Sequence, residues 1–69
     1  MRTERDTKLA EADSRIAEAE RNIRHVESLV PQLTEQGYST AELEGHLDLM
    51  SEALHHLKEQ RRLIASTLH

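Results

Sequence analysis

Two segments of this 69-residue chain repeat apolar residues at alternating spacings of three and four. The first series is Leu9, Ala12, Ile16, Ala19, Ile23, Val26, Val30 and Leu33, and the second is Leu43, Leu47, Met50, Leu54, Leu57, Ile64 and Leu68, with Arg61 at one of its positions. Such spacing places one apolar stripe along each of two long helices. We therefore predict an all-α fold, an antiparallel, coiled-coil-like two-helix hairpin whose stripes pack together as a seam.

The composition agrees with one small helical unit. Charged residues make up 32% of the chain, and Tyr38 is its one aromatic residue. This suits a coiled coil better than a globular core. Sixty-nine residues leave no material for a second core, so we predict a single domain over 1–69. The chain has no cysteine, which excludes disulfides and thiolate metal sites within it.

The turn between the helices has clear signals. Gly37 can adopt the left-handed conformation that ends a helix. Ser39 and Glu42 have the spacing of a capping box, in which each side chain accepts a hydrogen bond from the other residue's backbone N–H. Tyr38 and Leu43 flank this box at the positions of a hydrophobic staple. We therefore expect Ser39 to cap the second helix.

These signals set the predicted bounds of the two elements. The first helix should cover about 3–36, the turn 37–39 and the second helix about 40–67. Pro31 lies inside the first helix, where it removes one backbone hydrogen bond, so we expect a kink over 27–30.

Arg61 interrupts the apolar seam opposite Ile16. A long side chain can lay its methylenes on the seam and extend its charged head to Asp13 or Glu20. A polar residue at one core position disfavours slipped pairings, so we interpret Arg61 as a lock on the register.

A second stripe of mixed character lies beside the seam on the second helix, and we call it the outer stripe. Its members are His46, Leu49, Ala53, His56, Gln60 and Leu63. Leu29 of the first helix borders the same side. A lone two-helix layer leaves its seam wet, so we expect a homodimer in which these seven residues form the interface of a four-helix bundle. The alternatives are a solvated edge and a seam completed by a helix of another protein.

Charge is distributed unevenly along the hairpin. The open end, residues 1–24 and 57–69, holds all nine Lys and Arg with seven acids, whereas the turn end, residues 25–56, holds six acids and no base. The turn end also carries four of the five histidines, so it could dock a basic partner or respond to pH, or be only a solvated face. Near balance of sign and the lack of stacking aromatics at the open end argue against nucleic-acid binding.

Glu52 and His55 form a Glu-x-x-His, a pattern that di-iron carboxylate bundles carry. With Leu54 facing inward, both side chains point away from the seam, where they could not hold a buried metal pair. We therefore predict no metal ligands and no cofactor. A weak zinc site from His46 and His56 across a dimer stays open, so a metal-binding bundle using His and Glu is our alternative function.

Chemical motifs are otherwise absent, so we expect no enzyme. The chain has no glycine-rich phosphate loop and no serine with a base placed beside it. Met1 is followed by charged residues rather than the apolar run of a signal peptide, and no segment has the length of a membrane span. We expect a cytoplasmic protein-interaction or scaffold module.

Four segments within residues 15–64 share a recurring pattern: Arg15, Ile16, Ala17; the run Leu33, Thr34, Glu35, Gln36, Gly37, Tyr38, Ser39, Thr40, Ala41; Leu54, His55, His56; and Arg61, Arg62, Leu63, Ile64. With these segments the chain resembles a set of short uncharacterised proteobacterial proteins, which have a leucine, a glycine turn followed by threonine, and a helix with His and Arg near its end. Tyr38 stands where that pattern more often has histidine. The resemblance implies a bacterial source and assigns no functional residue.

Overall fold

The computed structural model describes residues 3–66, apart from the side chain of Arg5. It contains α1 (Glu4–Glu35) and α2 (Ala41–Ser66), which pack against each other as a hairpin. The predicted all-α hairpin is confirmed. Helix α1 runs through Pro31 without a break, and the kink there stays a prediction. Leu68, placed on the seam by its spacing, lies outside the described residues.

Helix α1 begins with a capping box that the sequence analysis missed. The Thr3 hydroxyl accepts from the Asp6 backbone N–H at 3.2 Å, and the Asp6 carboxylate accepts from the Thr3 N–H at 3.4 Å. These two bonds satisfy N–H groups that have no partner inside the helix. The Thr-x-x-Asp spacing could have revealed the cap, because aspartate can replace the more usual glutamate at its last position.

Helix α1 ends in a Schellman motif around Gly37. The backbone N–H of Tyr38 donates to the Leu33 carbonyl at 3.0 Å, and that of Gly37 donates to the Thr34 carbonyl at 3.1 Å. Gly37 has a φ of 83°, a conformation in which a Cβ would be strained. The predicted role of Gly37 is confirmed.

The predicted cap of α2 is wrong by one residue. Helix α2 starts at Ala41, and the Thr40 carbonyl accepts the first intrahelical bond, from the Glu44 N–H at 2.9 Å. Thr40 therefore holds the N-cap position instead of Ser39. Its hydroxyl donates to a Glu44 carboxylate oxygen at 3.4 Å.

Replacing either glycine by alanine should change the stability of the protein, but in opposite directions at Gly37 and Gly45. We expect Gly37→Ala to destabilise the protein by about 1 kcal/mol, because alanine is strained at positive φ. We expect Gly45→Ala, inside α2 with nothing within 4 Å of the new methyl group, to stabilise it by up to about 1 kcal/mol. Thermal unfolding at one protein concentration should shift in opposite directions by roughly 4–8 °C per kcal/mol. Equal shifts would contradict this account of Gly37.

The hairpin is a single layer without an interior. Its Cα atoms span 54 × 19 × 10 Å, and none of the described residues is buried. Each described member of the predicted seam, from Leu9 to Ile64, is half-buried instead. The accessible surface is 5471 Å², compared with about 4,400 Å² expected for a compact protein of 7.9 kDa. Packing of the two helices excludes solvent from their seam only in part.

Two ion pairs join the helices in the predicted register. Arg61 donates through Nε to the Asp13 carboxylate, one of its two predicted partners. Lys58 Nζ lies 3.9 Å from the Glu20 carboxylate. All four side chains are more than a third exposed, so these pairs fix alignment more than they add stability.

We expect Arg61→Leu to raise the midpoint of thermal unfolding by a few degrees and to loosen the choice of oligomer. Leucine at this half-buried seam position would add apolar burial, while the Asp13 left behind is 56% exposed and loses little. The control Asp13→Ala removes the ion pair alone and should change the midpoint little. A lower midpoint for Arg61→Leu would contradict this account.

Candidate functional site

The candidate site is the outer stripe, which the hairpin leaves open to solvent. Leu49 and Leu63 are 65% and 50% exposed, and the other four members of the stripe are exposed as well. Leu29 on α1 is half-buried. Exposed apolar side chains that share one face, as Leu49 and Leu63 do, make that face a candidate interaction surface. The hairpin thus leaves the predicted interface residues of α2 accessible to a partner.

The outer stripe runs along one broad face of the layer, which we call the stripe face. Leu49 and Leu63 are four helical turns apart, about 21 Å at 1.5 Å per residue. At the open end, a groove of about 230 Å³ joins the stripe residue Gln60 to α1. Its other lining residues are Lys8, Glu11, Ala12, Arg15, Leu57 and Ile64. The stripe face therefore includes basic residues of α1.

Sequence reasoning missed Lys8 and Arg15 as members of this face. They precede Leu29 by three and two heptads, so the spacing that places Leu29 beside the stripe also places them there. Arg15 is exposed and forms no ion pair within the described part of the chain, whereas Lys8 pairs with Glu4 at 3.3 Å.

The opposite broad face has a different character. It carries the Lys58 and Glu20 pair. Towards the turn it has an open groove of about 330 Å³, in which Val30, Pro31 and Leu47 lie between two glutamates, Glu27 and Glu44. The two faces therefore differ, with exposed leucines on the first and carboxylates along the second.

Charge pairing is confined to the open end. Each ion pair among the described residues joins positions within 4–20 and 58–62. The six acids of the turn end are Glu27, Glu35, Glu42, Glu44, Asp48 and Glu52, all exposed. With no base in residues 25–56, this end keeps its full charge of −6. The charge that is uneven along the sequence is therefore also uneven between the two ends of the folded hairpin.

The histidines of the turn end lie on the surface. His25, His46, His55 and His56 are all exposed, and the rings of His55 and His56 lie 5.9 Å apart between centroids. Residues 3–66 contain no group of three or more His, Asp or Glu arranged to hold a metal ion.

The fold thus defines a class, an antiparallel two-helix hairpin with one leucine-bearing face. Comparison with protein-family models, with curated proteins and with solved structures finds no match. The resemblance of residues 15–64 to proteobacterial proteins stays a prediction. Neither helix, over the residues described, is long and apolar enough to cross a bilayer.

Proposed function

We propose that this chain is a non-enzymatic protein-interaction or scaffold module that acts as a homodimer, two hairpins stacked through their stripe faces into a four-helix bundle. The observation that carries the proposal is the exposure of Leu49 and Leu63 on one face of a layer in which none of the described residues is buried. In a two-fold dimer the stripe face of a second copy would cover these leucines, and its own leucines would be covered in return.

The size of the face supports a second copy as the occupant. A layer of 54 by 19 Å offers a footprint of roughly 1,000 Å², while stable interfaces bury about 800 Å² per partner. Stacking on this face would also cover one side of the half-buried seam. The bundle would then have the two-layer architecture around a shared core that small helical domains use.

Sedimentation equilibrium over a broad micromolar range tests the proposal. We expect twice the mass of one 7.9 kDa chain, persisting on dilution. Helical content followed by circular dichroism in the same samples should fall only where the dimer dissociates, because assembly contributes to folding. A folded monomer across the whole range would contradict the homodimer and make the outer stripe the binding site for another protein.

A further inference from the structure

We propose that the two hairpins of the dimer stack head to tail, with the open end of each over the turn end of its partner. The outer stripe of α2 then packs antiparallel along the same stripe of the partner, and His56 lies beside the partner's His56 at the two-fold axis. This inference rests on the proposed homodimer and adds its geometry.

Two-fold symmetry allows a flat two-helix layer two ways of stacking through one face. In the head-to-tail stack, α2 lies on the partner's α2 and the turns point in opposite directions. In the head-to-head stack, α2 lies on the partner's α1 and the two turns coincide. Both use the stripe face, so charge and side-chain matching must choose between them.

Charge favours the head-to-tail stack. The turn end carries six exposed carboxylates, of which Glu27 and Glu44 lie on the opposite broad face, and none has an ion-pair partner among the described residues. The open end has a net charge of +2. A head-to-head stack would bring two ends of −6 together, at a cost in repulsion. The head-to-tail stack instead sets Arg15, which is exposed on the stripe face and forms no ion pair with the other described residues, over the acidic end of the partner.

The leucines favour the same arrangement independently. Leu49 and Leu63 lie seven residues before and after His56, so a head-to-tail stack centred there sets each Leu49 against the partner's Leu63. All four exposed leucines of the dimer would gain an apolar contact. In the head-to-head stack each Leu49 would lie near the partner's Leu29, but each Leu63 would lie at the level of Ala12 and Arg15, which line the groove beside Ile64.

Engineered disulfides test the orientation cleanly, because the chain has no cysteine of its own. In the head-to-tail stack the Cα atoms of the two copies of residue 56 lie within about 7 Å of each other, the distance that a disulfide between two His56→Cys chains requires. The matched control is His46→Cys, also an exposed histidine of the stripe, whose two copies would be about 30 Å apart.

A mixed pair of variants adds a second readout that leaves both leucines intact. Ala53→Cys mixed with Gln60→Cys should cross-link in the head-to-tail stack, since these positions lie on either side of His56. Ala53→Cys mixed with Asn22→Cys should cross-link in the head-to-head stack, because Asn22 lies at the level of residue 53 on α1. The products are read on non-reducing gels after mild oxidation.

We expect His56→Cys to become mostly a disulfide-linked dimer while His46→Cys stays reduced, with cross-linking in the Gln60 mixture and little in the Asn22 mixture. Suppose the wild-type chain sediments as a dimer, but the Asn22 mixture cross-links while the Gln60 mixture and His56→Cys do not. That result would overturn the head-to-tail stack and keep the homodimer. Equal cross-linking at positions 46 and 56 would also overturn it. A wild-type monomer would overturn the homodimer itself.

Discussion

Leu49→Glu should convert the proposed dimer to monomer. The substitution removes a 65% exposed leucine from the stripe face and puts a carboxylate in the proposed apolar contact. At about 2 kcal/mol for each of two copies, the dimer should weaken by about 4 kcal/mol, roughly a thousandfold in dissociation constant. Sedimentation equilibrium would detect this directly. Leu49 lies on the stripe face in both stacking arrangements, so the result tests dimerisation and not orientation.

Tyr38→Glu is the matched control for this experiment. Tyr38 is 64% exposed, nearly as much as Leu49, and the change adds the same charge at the turn, away from the outer stripe. Its backbone N–H, which closes α1, is retained. We expect the control to dimerise like the wild-type chain. If both variants dissociate equally, added negative charge and not lost contact is responsible, and the stripe face loses its support as the interface.

Leu54→Asp should unfold the hairpin. Leu54 is half-buried in the seam, and an aspartate there loses the apolar burial and desolvates a carboxylate. Together these cost about 3–4 kcal/mol, comparable to the total stability of roughly 3–5 kcal/mol that a chain of this size can reach. We expect most of the helical circular dichroism signal at 222 nm to be lost at 25 °C.

His55→Asp provides the comparison at the neighbouring position. His55 is exposed on α2, so the same new side chain enters water and removes no seam contact. We expect it to keep its helical signal, with a midpoint of unfolding within a few degrees of the wild-type value. Retention of the helical signal in Leu54→Asp as well would show that the seam does not hold the two helices together.

The hairpin could be predicted from the sequence because three signals agree. The alternating spacing of three and four residues specifies helices, Gly37 specifies the turn, and the antiparallel register about that turn brings Arg61 within reach of Asp13. Agreement between local and long-range signals is what makes such a fold predictable.

Details of the helix starts were harder to predict. Ser39 and Thr40 are adjacent residues of similar capping ability, and the choice between them depends on how the chain leaves the Schellman motif. The Thr3 capping box has aspartate in place of the usual glutamate, and Thr3 lies six residues before Leu9, the first apolar residue of the seam. Its sequence signal is therefore weak. The place of Lys8 and Arg15 on the stripe face became evident from the groove that they line together with Gln60.

The thinness of the hairpin has a consequence for how long the protein survives. Because none of the described residues is buried, local opening of a helix in the monomer costs little free energy and exposes its hydrogen-bonded amides to exchange. The proposed homodimer predicts that the slowest amides lie where the second copy covers the first. Below the dissociation constant of that proposed dimer the chain would be cleaved more readily by proteases, so the cellular amount of this protein would set its lifetime.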